Sequence, residues 1–368
     1  MQGTRHLSLR ALFGLVALAA ADAARAGEGN SIRAARIPSS CPWKTPVSSP
    51  AFGPPLGIGS FATIAWGPEG NFIAGDVIGD RLLTISPDGS IVKSLPLNLF
   101  VTNVAVAANS VYFNAFDRNG WSNVGRIGTG GGPPQTEQLV NGFLDQGAAL
   151  AVRPDGIVAT VSASRAEAWV LPKTLTPFTK ASLGAGNTPV AASVLPDGNF
   201  SINYNTPSGG GGVKVVTPEG AVRDGPLFPT RTGAAVVCAT GVWYGGVNFV
   251  YIGTIKNGVA TATVSVSTPF GPIFSFSCTA DNRVAYVAQG RNIGLMDASG
   301  AIENYTVPGS GEFIGVAVAP GNVPSGFVLE LNNGQAKART FQLPGQFAAD
   351  PNSSSCRVDL DPLSVINR

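Results

Sequence analysis

The same event recurs along the chain at intervals of roughly 42 residues, and a fixed period of that size marks a repeat architecture. A short apolar run ends in a tight turn, again and again. The turns read Gly67-Pro68-Glu69-Gly70-Asn71, Ala107-Ala108-Asn109, Arg153-Pro154-Asp155-Gly156 and Leu195-Pro196-Asp197-Gly198-Asn199. They continue as Ala239-Thr240-Gly241, Ala280-Asp281-Asn282 and Ala319-Pro320-Gly321-Asn322. A second turn follows each first one, as in Ser86-Pro87-Asp88-Gly89, Pro218-Glu219-Gly220, Ala298-Ser299-Gly300 and Asn332-Asn333-Gly334. Pro presets φ, Asp bonds the local backbone and Gly accepts φ > 0, so these are turns for physical reasons. Two hairpins per unit make four strands per unit. That is the size of one blade of a β-propeller, and a single blade cannot bury both of its faces alone. The expectation is an all-β propeller of four-stranded blades. Seven units are countable, and six would result if the degenerate second unit formed no blade.

Composition agrees. Gly (47) and Pro (28) are abundant, and both are costly inside helices. The apolar fraction of 44% is too high for a disordered chain. Residues 1–26 have the pattern of a secretory signal peptide: Arg5 and Arg10, an apolar run from Ala11 to Ala21, then Ala24-Arg25-Ala26 before Gly27. Eleven apolar residues are too few to span a bilayer. The reading divides the chain into a leader at 1–26, an N-terminal extension at 27–58, the propeller at 59–346 and a C-terminal tail at 347–368. It places the mature protein outside the cytoplasm, secreted or periplasmic, with no membrane span.

Cleavage would remove three arginines against one aspartate, and the net charge of +2 would fall to about zero. Nucleic-acid binding needs a cationic footprint, which is missing here. The leader also carries His6, the chain's single histidine. A Ser-His-Asp triad, a Cys-His pair and an imidazole-based zinc or copper site are thereby excluded from the mature chain.

The unit at 61–96 reads FATIAWGPEGNFIAGDVIGDRLLTISPDGSIVKSLP. It resembles the repeat of NHL-type propellers and of the related virginiamycin B lyase and gluconolactonase-like propellers. The likeness returns at 147–158, 192–222 and 292–308. The lyases' chemistry uses histidine, and no residue here matches that role. The gluconolactonase-like resemblance implies a divalent ion, usually calcium, held in the central channel by Glu, Asn and Asp. The residues leading into the inner strands that suit it are Asn103, Gln146, Asn187 and Glu312, with Asp145 beside them.

Two further features bear on function. Phe116 and Trp121 flank Asp117-Arg118-Asn119-Gly120, so Asp117, Trp121 and Phe116 form the best surface-binding candidate. Of the four cysteines, Cys41 and Cys356 lie on the two tails, where a bond would clasp the ring. Cys238 and Cys278 stand nearly one repeat apart, so a second bond would join neighbouring first strands; four free thiols are the alternative. The functional expectation is a binding or scaffolding module for a protein or small-molecule ligand, docked on one face or at the channel mouth. The alternative is a calcium-dependent hydrolase or lactonase.

Overall fold

The computed structural model describes residues 50–344, except 68, 108, 142–148, 240, 257–258 and 321–324, together with 358–359. Seven antiparallel sheets follow one another around a ring. Blade 1 comprises Phe61–Trp66, Phe72–Asp76, Arg81–Ile85 and Ile91–Pro96, paired in sequence order. Blades 2 to 6 repeat this order, with inner strands Phe100–Ala107, Leu150–Val152, Thr188–Val194, Thr232–Cys238 and Ile273–Cys278. The degenerate second unit forms a full blade, so the count is seven. No helix among the described residues is long and apolar enough to cross a membrane.

Blade 7 closes the ring differently. Glu312–Val318, Ser325–Asn332 and Gln335–Gln342 supply three strands. The fourth, Ala51–Pro55, comes from the segment read as an N-terminal extension and pairs Ala51 with Gln342. The two ends of the ring are thus laced into one sheet.

The turns use the chemistry read from the sequence. The Asp197 carboxylate accepts the Asn199 N–H at 3.0 Å, and the Asp155 carboxylate accepts that of Ile157 at 3.3 Å. Gly198 and Gly156 stand at φ of 83° and 92°, where a side chain would be strained. Six of the seven inner strands carry a bulge near their start, as between Phe61 and Thr63 and between Val101 and Asn103.

The core lies between blades. Second strands such as Phe72–Asp76 and Val284–Ala288 are buried at every position, because neighbouring blades cover both faces. Trp243 of blade 5 packs with Ile273, Val284 and Tyr286 of blade 6. Phe72 of blade 1 meets Phe327 of blade 7 edge-on, with ring centroids 4.8 Å apart. Each such large side chain, buried fully, stabilises by roughly 1.5–3 kcal/mol. Antiparallel order also assigns the loops. Starts of inner strands and loops between second and third strands share one face, the upper; the first turns of each unit lie on the lower.

Candidate binding face

On the upper face, two loops of blade 1 are pinned together by one carboxylate. Asp76 is fully buried at the end of the second strand. Its Oδ1 accepts the N–H of Ser60 at 2.9 Å and of Gly79 at 3.1 Å, and its Oδ2 accepts Arg81 Nε at 2.8 Å. The lead-in at 56–60 and the loop at 77–80 are therefore fixed side by side. Each presents an exposed isoleucine, Ile58 at 38% and Ile78 at 49%.

The neighbouring loop of blade 2 is built by Asp117. Its Oδ1 accepts the N–H of Asn119 at 2.8 Å and of Trp121 at 3.0 Å, while the Gly120 N–H donates to the Asp117 carbonyl at 3.1 Å. Oδ1 of the carboxylate is engaged in holding its own turn. Phe116 is buried, with its ring 4.8 Å from that of Phe100, and Trp121 is half-buried. What this loop offers to solvent is Arg118 and Asn119. Arg118 reaches across to blade 1, with Nη2 3.2 Å from Asp80 Oδ2. Its side chain is 73% exposed, and such surface pairs stabilise by less than about 1 kcal/mol. The pair orients the guanidinium more than it holds the fold. Asp80 Oδ1 is buried and meets no hydrogen-bond donor.

Of the oxygen-bearing residues that the sequence suggested as metal ligands, Asn103, Asn187 and Glu312 are described, and they belong to different blades or their lead-ins. Asn187 Nδ2 donates to the Leu183 carbonyl at 2.7 Å, which ties it to its own lead-in before blade 4. Glu312 opens blade 7, and its Oε1 accepts the Gly290 N–H from blade 6 at 3.1 Å. Asn103 is half-buried on the inner strand of blade 2, immediately after the bulge and opposite Asn114. Gln146 and Asp145 lie outside the described residues. Among the described residues, no three His, Cys, Asp or Glu side chains group to hold a metal. Thus Asn187 and Glu312 each have a partner fixing a loop or a blade junction.

Other polar groups at this level join blades. Asn205 of blade 4 donates Nδ2 to the Thr232 carbonyl at 3.0 Å and accepts the Thr232 N–H at 2.8 Å. Asn114 donates to the Ala149 carbonyl at 3.1 Å and to Thr160 Oγ1 at 3.0 Å. Arg291 is buried between blades 6 and 7. It pairs with Glu330, donates to the Ser310 carbonyl at 2.9 Å and lies 4.7 Å from the Phe313 ring centroid.

The groups with shifted protonation lie elsewhere. Burial pushes the Tyr244 hydroxyl up at the junction of blades 4 and 5. In blade 6, burial raises the Glu303 carboxyl, with Arg283 opposing it. Burial would also raise Asp281 on the lower face. Hydrogen bonds from Arg283 and Thr279 outweigh it, and hold the carboxyl below its ordinary range.

The architecture has solved relatives in form. A streptogramin B lyase superposes with a TM-score of 0.65 over 80% of this chain and 97% of that one, at 14% identity. Virginiamycin B lyase from Staphylococcus aureus gives 0.64 over 80% and 99%, at 15% identity. The chain shares its ring fold with these lyases. The likeness at these identities is one of fold, and the WD40 domain of Neurospora crassa Pan2 shares it at a TM-score of 0.59 and 10% identity, over 78% of this chain and 90% of that one. No protein-family model and no curated protein matches the sequence.

The structure also shows what sequence reasoning passed over. Ile78 and Arg118 are exposed on the upper face beside the expected loop, and Asp80, a turn residue in the sequence reading, is half-buried and pairs with Arg118. Ile78 precedes a Gly-Asp pair, Gly79-Asp80, that reads as an ordinary turn. The Arg118–Asp80 contact joins residues 38 apart, on different blades. The only signal available was the charge complement between two successive loops at equivalent places in the repeat.

The cysteines divide the same way. Cys238 and Cys278 are bonded, joining the lower ends of two neighbouring inner strands. Cys41 and Cys356 lie outside the described residues.

Proposed function

We propose that this propeller is an extracytoplasmic binding module that docks a protein partner on the upper loops of blades 1 and 2. The observation that carries the reading is the pinned pair of loops. Two exposed isoleucines stand on blade 1 loops that a buried aspartate pins together, and an exposed arginine of the neighbouring blade 2 loop reaches Asp80 in one of them. Apolar contact area beside Arg is the composition of protein-recognition surfaces, and rigid loops lose little entropy on binding.

Support for the compartment comes from the leader pattern at 1–26 and from the Cys238–Cys278 bond, which suits an oxidising environment. A lyase reading has less support. A catalytically inactive histidine-to-alanine variant is known of the Staphylococcus aureus enzyme with quinupristin, and the single histidine here is His6. The hydrolase reading needs Asn103, Gln146, Asn187 and Glu312 to share an ion. The local engagement of Asn187 and Glu312 gives it no added weight.

The test is a photo-crosslinker placed at Asn119, used on the mature protein in its native extracytoplasmic fraction. A discrete crosslinked partner is expected. It should fall at least tenfold in the Ile78→Asp, Arg118→Glu double variant, which is about 1.4 kcal/mol or more of binding. A control change on the lower face, Asp155→Asn, should leave it intact. Equal crosslinking in the double variant, with an unchanged melting curve, would refute this docking surface.

A further inference from the structure

The outer edges of the seven blades are not alike. An outer strand presents a row of unpaired N–H and C=O groups, a template for another chain. Natural edges are blunted by charges, prolines or short length. Six of the outer strands here follow that rule. Ile91–Pro96 carries Lys93 and Pro96, and Gln135–Asn141 carries Glu137. Thr179–Ser182 has Lys180, while Val222–Phe228 has Arg223, Asp224 and Pro226. Ile302–Thr306 holds Glu303, and Ala51–Pro55 ends in two prolines.

Blade 5 breaks the rule. Its outer strand, Val259–Ser267, reads VATATVSVS. It has no charge, no proline and no glycine, and is rich in β-branched residues. At nine residues it is the longest strand among those described. This is the composition of an aggregation-prone edge.

It is also the edge that is covered. Val358–Asp359 lies antiparallel along it as a fifth strand, with Ser265 opposite Val358 and Val264 opposite Asp359. No other blade has a fifth strand among the described residues. The sequence around the covering pair, Arg357-Val358-Asp359-Leu360-Asp361-Pro362, holds the charges and the proline that the blade's own edge lacks.

We propose that the C-terminal strand Val358–Asp359 is a built-in edge guard. It occupies in cis a strand-addition site on blade 5 that would otherwise pair with the same edge of a second copy. Two independent observations meet in the assignment: the one unprotected edge and the one added strand are at the same place.

The experiment uses the whole mature chain with Val358→Pro and Asp359→Pro together, which removes both backbone donors of the added strand. Sedimentation velocity from about 1 to 100 µM reads association, and hydrogen exchange reads the edge. The unaltered chain should sediment as a single ring. Of Val264 and Ser265, the amide that faces the added strand should exchange at least about tenfold more slowly than the outward-facing amides of Thr179–Ser182, an outer strand with no cover among the described residues. The double variant should lose that protection and associate with rising concentration. Adding Ser265→Lys should restore the single ring. A melting curve matching the unaltered chain shows that the ring itself is folded, and the exchange pattern of the unaltered chain needs no variant at all. Unchanged exchange and sedimentation in the double variant would overturn the proposal. So would lost protection with no association at any concentration.

Discussion

Two junctions of the ring hold by opposite means. Between blades 5 and 6 the chain is continuous, and the inner strands are also stapled by Cys238–Cys278, with Cα atoms 5.7 Å apart. Between blades 7 and 1 the chain crosses at 56–60, but its strand Ala51–Pro55 is held to the other three strands of blade 7 by pairing, with no covalent link among the described residues. There Ser60 Oγ accepts the Ala336 N–H at 3.2 Å, and Lys337 Nζ donates to the Gly59 carbonyl at 2.6 Å. The Leu56 N–H donates to the Ala338 carbonyl at 2.8 Å, and Phe72 meets Phe327 with ring centroids 4.8 Å apart. The staple sits where the fold needs it least for connectivity. It therefore acts mainly by restricting the unfolded chain, whereas closure depends on strand exchange and on many weak contacts spread over the height of the ring.

The sharpest way to break this contrast is to remove the closing strand. A chain beginning at Leu56, with the staple intact, should lose on the order of 5 kcal/mol, a large share of a typical domain's stability. Urea denaturation should show it as a low, broadened transition. If closure were carried by the staple, the transition would barely move. The second test replaces Cys238 and Cys278 by Ser. Cross-linking residues 40 apart restricts the unfolded chain by on the order of 4 kcal/mol, so the unfolding free energy should fall by that amount while the folded ring keeps its circular dichroism. The smallest effect comes from Ser60→Ala. It leaves the Ala336 N–H without its acceptor at a buried site, a loss of about 1–2 kcal/mol. Combined with the cysteine pair, it should add within a few tenths of a kcal/mol, because the two junctions share no partners. Strong coupling would show that the ring transmits strain from one junction to the other.

The same contrast explains which parts of the fold were legible. Turn chemistry is local, so Pro-Asp-Gly at 154–156 and 196–198 announces itself. The degenerate unit still forms a blade because Asn109 adopts φ of 59°, the conformation glycine would otherwise supply. The Cys238–Cys278 bond was readable from repeat spacing. The closing strand was not: its Pro54 and Pro55 read against a strand, and its partner is Gln342, at the far end of the ring. The candidate face divides likewise. Asp117 is a turn residue in sequence and in structure. The exposed surface beside it arises only when the Arg118 loop of one blade comes to rest on the Asp80 loop of another.

The closing strand also sets an order in time. Ala51 is made 291 residues before its partner Gln342. At ordinary synthesis rates that is a wait of roughly 15 to 60 s. Throughout that interval blades 1 to 6 can form from local hairpins, each completed soon after it appears. The first strand to be made is then the last to find its place. Any factor that holds the nascent N-terminus during this window sets when, and whether, the ring is finished.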